Sequence, residues 1–228
     1  MGPFQVELST GTDAFTWVTV VDPAVTESDI HASVGRLRSM FARRNKELEI
    51  EFDERALPQV GGWLESCGFH LEERNPLMAC RPPGFKPFAA AGVTLTQLEA
   101  KSPPADLDAF QTIRWTEGNL TGRVPPPVER LQQELAMPSS VYLLAWLERE
   151  PVGTGVSHTL NGAAEIVGIV TRADRRRRGV AATVSSELVS RHFRSGGDFV
   201  FLDAANDEAI RVYERLGFVE FGANAVYR

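Results

Sequence analysis

The stretch that most restricts how this chain can fold runs Ile166-Val167-Gly168-Ile169-Val170-Thr171, then Arg172-Ala173-Asp174, then Arg175 to Arg178, then Gly179-Val180-Ala181-Ala182. The apolar, β-branched run reads as a strand, and the residues after the arginines open a helix with Val180, Val184 and Leu188 on one stripe. A strand that turns through a short cationic loop into a helix belongs to an α/β architecture with a mixed sheet. Such a helix start points unpaired backbone N–H groups outward beside the positive end of its dipole, which makes it an anion site. Gly179 lacks the β-carbon that would hold a phosphate away, and Ala181 and Ala182 keep the approach open. The flanking guanidiniums of Arg176, Arg177 and Arg178 add charge-assisted hydrogen bonds. The segment reads as a pyrophosphate cradle. The competing reading of four arginines is a solvated turn or a small nucleic-acid patch. A net charge of −6 speaks against general nucleic-acid binding, which needs a broad positive surface.

The remainder of the chain supplies the elements around this segment. Arg81-Pro82-Pro83-Gly84-Phe85-Lys86-Pro87-Phe88 suits a connector, and divides the sequence into 1–88 and 89–228. Before it, strands are expected at 16–21, 48–52 and 77–80. Helices are expected at 27–44, entered through Thr26, and at 57–67, ended by Gly68. After it, a strand at 93–98 is followed by helices at 105–116 and 127–135. Three strands come next at 141–147, 152–160 and 164–171, the last two joined by the hairpin pair Asn161-Gly162. The helix from Gly179, a strand at 199–204, a helix at 207–216 stopped by Gly217, and a closing hairpin or strand pair at 218–227 complete the order. Gly153-Thr154-Gly155 alternates as a strand does and lacks the third glycine of a phosphate loop.

The cradle resembles the cofactor motif of the GNAT superfamily of N-acetyltransferases, Gln/Arg-x-x-Gly-x-Gly/Ala after a β-strand, with Arg176, Gly179 and Ala181 filling it. The resemblance covers about 91–228 and includes the ending Asn206…Tyr213…Gly217-Phe218; Thr171 and Ala173 depart from the aliphatic residue and proline that the family prefers. It implies a GNAT-like fold and acetyl-CoA as cosubstrate. The backbone of Ile169, Val170 and Thr171 would pair with the pantetheine arm, Arg176 to Ala182, Val180 included, would hold the pyrophosphate, and the Val170 amide would serve as oxyanion donor. Gly168 marks either a bulge that splays two strands apart or a packing requirement. Asn206 either bonds the pantetheine arm or is a plain helix cap.

The implied reaction is direct attack of an amine on a thioester, in which a proton must leave an ammonium of pKa about 10 and another must reach the departing thiolate. The resemblance makes Tyr213 the acid, against its reading as a core aromatic on the stripe Ala209, Val212, Tyr213 and Leu216. It makes Glu165 the base, against a plain strand-edge carboxylate; His158 is a substrate-side base or a structural histidine. The acceptor is expected to be a primary amine of a small molecule or peptide, selected by helices and loops such as 116–127. The alternative is a non-catalytic acyl-CoA-binding module.

The two halves also echo each other. Glu49 to Asp53 followed by Leu64-Glu65-Ser66-Cys67-Gly68-Phe69 parallels Phe199 to Asp203 followed by Tyr213-Glu214-Arg215-Leu216-Gly217-Phe218. A degenerate GNAT-like copy without the cofactor motif is therefore one reading of 1–88, chance reuse of the same grammar the other, and the resemblance implies that 89–228 is the acetyltransferase domain. Two cysteines and four scattered histidines give no disulfide framework and no metal-ligand spacing. With no apolar stretch near the length of a membrane span and no leader-like start, a cytoplasmic monomer or homodimer without metal is expected.

Overall fold

A computed structural model describes residues 2–8, 16–118 and 127–228, which divide into two compact units: residues 2–77 with 221–228, and residues 78–220.

In the first unit, β1 (Phe4–Leu8) pairs antiparallel with β2 (Thr16–Val20), and β2 pairs parallel with β3 (Ile50–Asp53) through the intervening helix α1 (Glu27–Ala42). α1 starts where Thr26 and Asp29 close a reciprocal capping box, and its stripe of Ile30, Val34, Leu37 and Phe41 is buried against Ile50 and Phe52. Helix α2 (Val60–Ser66) and strand β4 (Leu71–Cys80) follow, with Met78 and Cys80 at the end of β4 entering the core of the second unit.

In the second unit, β5 (Val93–Leu98) is followed by helices α3 (Pro104–Glu117) and α4 (Val128–Leu135) and by β6 (Ser140–Leu147), β7 (Glu150–Leu160) and β8 (Ala163–Thr171). These four strands form an antiparallel meander. Asn161 and Gly162 turn β7 into β8 with both φ angles positive, at 51° and 81°. Helix α5 (Val180–Arg194) leads to β9 (Phe199–Asp203), parallel to β8, then to α6 (Asp207–Arg215) and β10 (Val219–Tyr227). The sheet has a core on each face: one with α5 and α6 around Val184, Leu188, Val200 and Leu216, the other with α3 around Leu107, Phe110, Ile113 and Val156. Gly153 and Gly155 let α5 settle on β7, since β-carbons there would come within 2.6 Å of Val180 and 2.4 Å of Val184.

The closing hairpin expected at 218–227 is a single strand. Its residues Asn224 to Tyr227 pair antiparallel with β3, so the end of the chain completes the first unit's sheet. Gly222 adopts no positive φ that would turn the chain back. β1 was not anticipated from Phe4-Gln5-Val6-Glu7-Leu8. Both cysteines are free; Cys80 is buried, which pushes its thiol up to about 11, and Cys67 is partly exposed. Among the described residues, no helix is long and apolar enough to cross a membrane.

Candidate active site

Two features of β8 open a gap in the second unit's sheet. Thr154 pairs with Val170 but Val156 pairs with Val167, so β8 carries one extra residue, and Gly168 takes it up at φ 60°. Gly168 is thus a bulge. On its other side β8 pairs with β9 only from Ala163–Phe199 to Glu165–Phe201, after which the strands part. The outer half of β8 therefore turns one row of amides and carbonyls to an unpaired side.

Which amides face that side follows from alternation. The Arg172 N–H donates to the Val152 carbonyl at 2.9 Å, so the amides of residues 170 and 172 turn to β7 and those of 169 and 171 turn away. The Val170 carbonyl agrees, lying 2.8 Å from where a β-carbon on Gly153 would sit. The Val170 amide, expected as oxyanion donor, therefore turns to β7, and the outward amides belong to Ile169 and Thr171. The Thr171 hydroxyl adds a buried oxygen without a hydrogen-bond partner among the described residues.

Beyond Thr171 the loop is shaped by its backbone. Arg177 stands at φ 61° and Gly179 at φ 79°, alternate left-handed residues at the start of α5, the kind of backbone that can form an anion-binding concavity. Gly179 is the N-cap, no side chain caps the helix, and its first turn carries no acidic residue. The amides of Val180, Ala181 and Ala182 are thus left for a ligand. Gly179 has a second reason to be glycine. A β-carbon there would meet the Ala90 methyl at 2.8 Å and the Phe88 ring at 3.2 Å, because the connector straps α5 through Phe88 N–H to Ser186 Oγ and Ala90 N–H to Thr183 Oγ1.

The arginines divide in role. Arg172 and Arg175 are tied to Asp174 and Glu150, with Arg175 at 2.7 Å from both carboxylates. Arg177 and Arg178 are exposed and make no ion pair among the described residues, while Arg176 reaches the Thr171 carbonyl at 3.4 Å and lies 3.9 Å from Glu117. Glu117, at the end of α3, also accepts the Ala173 N–H at 2.9 Å and so pins the loop. Nothing in the sequence sets it apart from the other charges of an amphipathic helix.

Tyr213 lies in α6 with 6% of its surface exposed, its ring 5.6 Å from that of Phe218. Burial pushes its phenol up to about 12, partly offset by the nearby Ser185 hydroxyl, which itself makes no hydrogen bond of full geometry among the described residues. The group stays protonated across the physiological range. Asn206 caps α6, its side chain accepting the Ala209 N–H at 3.0 Å.

Glu165 stands on β8 directly across from His158 on β7, so both point to the α3 face. His158 is fixed by Ser140, whose Oγ lies 2.8 Å from Nδ1, and burial together with the Arg114 charge holds its ring below the usual histidine range. Arg114, on α3, is equally inconspicuous in the sequence, and its guanidinium packs on the Gly168 bulge. The loop expected to select the acceptor falls mostly on residues 119–126, outside the described residues.

Residues 107–218 match the family model for the acetyltransferase (GNAT) family. No curated protein matches the chain. Among solved structures, the fold is similar to that of a GCN5-related N-acetyltransferase from Kribbella flavida at 22% identity, covering 99% of this chain and 86% of that one, with a TM-score of 0.78. A second, from Sphaerobacter thermophilus, aligns at 16% identity over 99% of this chain and 76% of its own, TM-score 0.69. A tandem GNAT protein from the clavulanic acid biosynthesis pathway aligns at 13% identity over 98% of this chain and 77% of its own, TM-score 0.63. At these identities the likeness is one of fold, and with the tandem protein it spans both halves of the chain.

Proposed function

The chain carries a GNAT-family acetyltransferase domain over residues 107–218, and from that premise we propose that it is an acetyl-CoA-dependent N-acetyltransferase acting on a primary amine. The observation that carries the reading is the parting of β8 and β9 directly before an uncapped, arginine-flanked helix start. The residues fit a nucleotide thioester: an unpaired strand edge with the orphan Thr171 hydroxyl for an amide-bearing arm, and left-handed Arg177 and Gly179 for a diphosphate. When bound, acetyl-CoA supplies a thioester carbonyl open to attack.

The chain's own groups then divide the work. The outward amides of Ile169 and Thr171 hold the arm and donate to a carbonyl oxygen as charge develops on it. Arg176, Arg177 and Arg178, with the amides of Gly179 to Ala182, hold the phosphates. Glu165 takes the ammonium proton, and Tyr213, kept neutral by burial, gives one to the leaving sulfur. In this reading Asn206 serves as a helix cap, and residues 1–88 are a copy with a structural role.

Acetyl-CoA is expected to raise the melting temperature, because a ligand bound only by the folded state stabilises it. Release of coenzyme A in a panel of small amines and peptides completes the test. No shift with any acyl-CoA rejects the proposal, and a shift without release leaves a binding module.

A further inference from the structure

We propose, resting on the acetyltransferase reading, that the acceptor is an amino acid, its carboxylate held by Arg114 while its amine is acylated.

Arg114 is half-buried on α3, with Nε, Cζ and Nη2 at 3.3, 3.6 and 3.7 Å from where a β-carbon on Gly168 would sit. It makes no ion pair among the described residues, whereas Arg130, Arg172, Arg175 and Arg191 each meet a carboxylate. A guanidinium drawn out of water without an anion is costly, so an anion from outside the chain is the natural complement.

The groups around it do not provide that anion. Burial and the neighbouring Glu134 charge push the Tyr142 phenol up to about 12, so it remains neutral although Arg114 pulls the other way. Burial and the Arg114 charge disfavour the charged form of the His158 ring, and an imidazole supplies no negative charge in either form. Glu134 is engaged elsewhere, 3.3 Å from Arg130 and accepting from the Tyr142 hydroxyl at 3.5 Å.

Position sets the length of the acceptor. Gly168 immediately precedes Ile169, whose amide faces the unpaired side of β8, and consecutive Cα atoms lie about 3.8 Å apart. An amine attacking a carbonyl held at that amide lies only a few ångströms from the guanidinium. A carboxylate one or two carbons from the amine, as in an α- or β-amino acid, fits that gap, and the planar fork of arginine accepts it in two parallel hydrogen bonds.

The test compares matched acceptors differing only in the carboxylate: tyrosine with tyramine, lysine with cadaverine, arginine with agmatine, and β-alanine with ethylamine. At least one amino acid should exceed its decarboxylated partner in kcat/KM by about ten- to a hundredfold, the range expected for a hydrogen-bonded charge. In Arg114→Gln that preference should vanish through a raised KM, with the acetyl-CoA melting shift intact. Arg114→Lys, which keeps the charge but loses the fork, should retain part of it and guards against misfolding of the first variant. The N-acetylated product of the preferred amino acid should raise the melting temperature of the intact protein but not of Arg114→Gln. Equal use of both members of every pair overturns the proposal and leaves the acetyltransferase reading standing. So does an Arg114→Gln loss confined to kcat and equal for all amines, which would make Arg114 an oxyanion stabiliser. Absence of any acyl-CoA melting shift overturns the acetyltransferase reading itself.

Discussion

The starts of α1 and α5 are two answers to one problem, the four unpaired amides at the head of a helix that follows a strand. α1 satisfies its own: Thr26 accepts the Asp29 N–H, the Asp29 carboxylate accepts the Thr26 N–H at 3.0 Å, and Glu27 adds negative charge to the same turn. α5 leaves its amides open, with glycine at the cap, no acid in the first turn and arginines before it. Both helices return to a parallel strand, Val18–Ile50 and Thr19–Glu51 in one unit, Ala163–Phe199 to Glu165–Phe201 in the other. The closing turns agree as well. Phe69 N–H bonds the Leu64 carbonyl around Gly68 at φ 82°, and Phe218 N–H bonds the Tyr213 carbonyl around Gly217 at φ 91°. The same frame thus carries a self-satisfied helix start in one unit and an open one in the other, and only the open one leaves its first amides without a capping side chain.

Planting α1's acid in α5 is the strongest way to break this contrast. Ala182 occupies the third helical position, as Asp29 does in α1, and is only half-buried. Ala182→Asp should lower acetyl-CoA affinity by about a hundredfold or more, since a carboxylate takes the amides and repels the phosphates. The melting temperature of the ligand-free protein should hold or rise. A variant that still binds acetyl-CoA tightly would show that the ligand lies elsewhere.

Leu64 and Tyr213 sharpen the comparison at the other end of the frame, where the units differ by one hydroxyl-bearing ring. Leu64 is wholly buried, so Leu64→Ala should cost about 2–5 kcal/mol in urea unfolding and leave turnover per folded molecule unchanged. Tyr213→Phe should lower turnover about a hundredfold with the acetyl-CoA melting shift kept. It should also change stability at high pH. A phenol raised from 10 to about 12 by folding contributes stability that is whole below pH 10 and is lost as pH rises toward 12. The phenylalanine variant should show a shallower alkaline decline, by about 2 kcal/mol at pH 12, with Tyr142 supplying part of what remains.

What could be read from the sequence follows from how local each cause is. α1 and its Thr26 entry, the Asn161-Gly162 turn and the arginine-to-alanine cradle are written in neighbouring residues. The gap between β8 and β9 was legible only through Gly168, whose bulge and packing readings look alike until the pairing register is known. β10 could not be assigned its partner, because β3 lies far back in the chain and the pairing has no local signature. Arg114 and Glu117 were invisible for another reason: on an amphipathic helix a working charge looks like a solvating one, and only the fold brings them to Gly168 and Ala173.

The smallest test reverses the graft. Thr26→Ala removes the side chain that accepts the Asp29 amide and leaves the Asp29 carboxylate without its 2.6 Å partner. The expected cost is about 1 kcal/mol, seen as a lower urea midpoint with an unchanged slope. A pH signature accompanies it. The bonds from Thr26 hold the Asp29 carboxyl below its usual range, so they contribute stability that is present above the ordinary carboxylate pKa and lost as the solution is acidified through the depressed one. The alanine variant should therefore lose less stability on acidification than the parent. Opening α1 in this way should still create no acetyl-CoA site, since Glu27 and Asp29 stay in its first turn and Asp22-Pro23-Ala24-Val25 precedes it in place of arginines. A second acetyl-CoA bound by Thr26→Ala would mean that amides alone make the site and that the charges around them decide little.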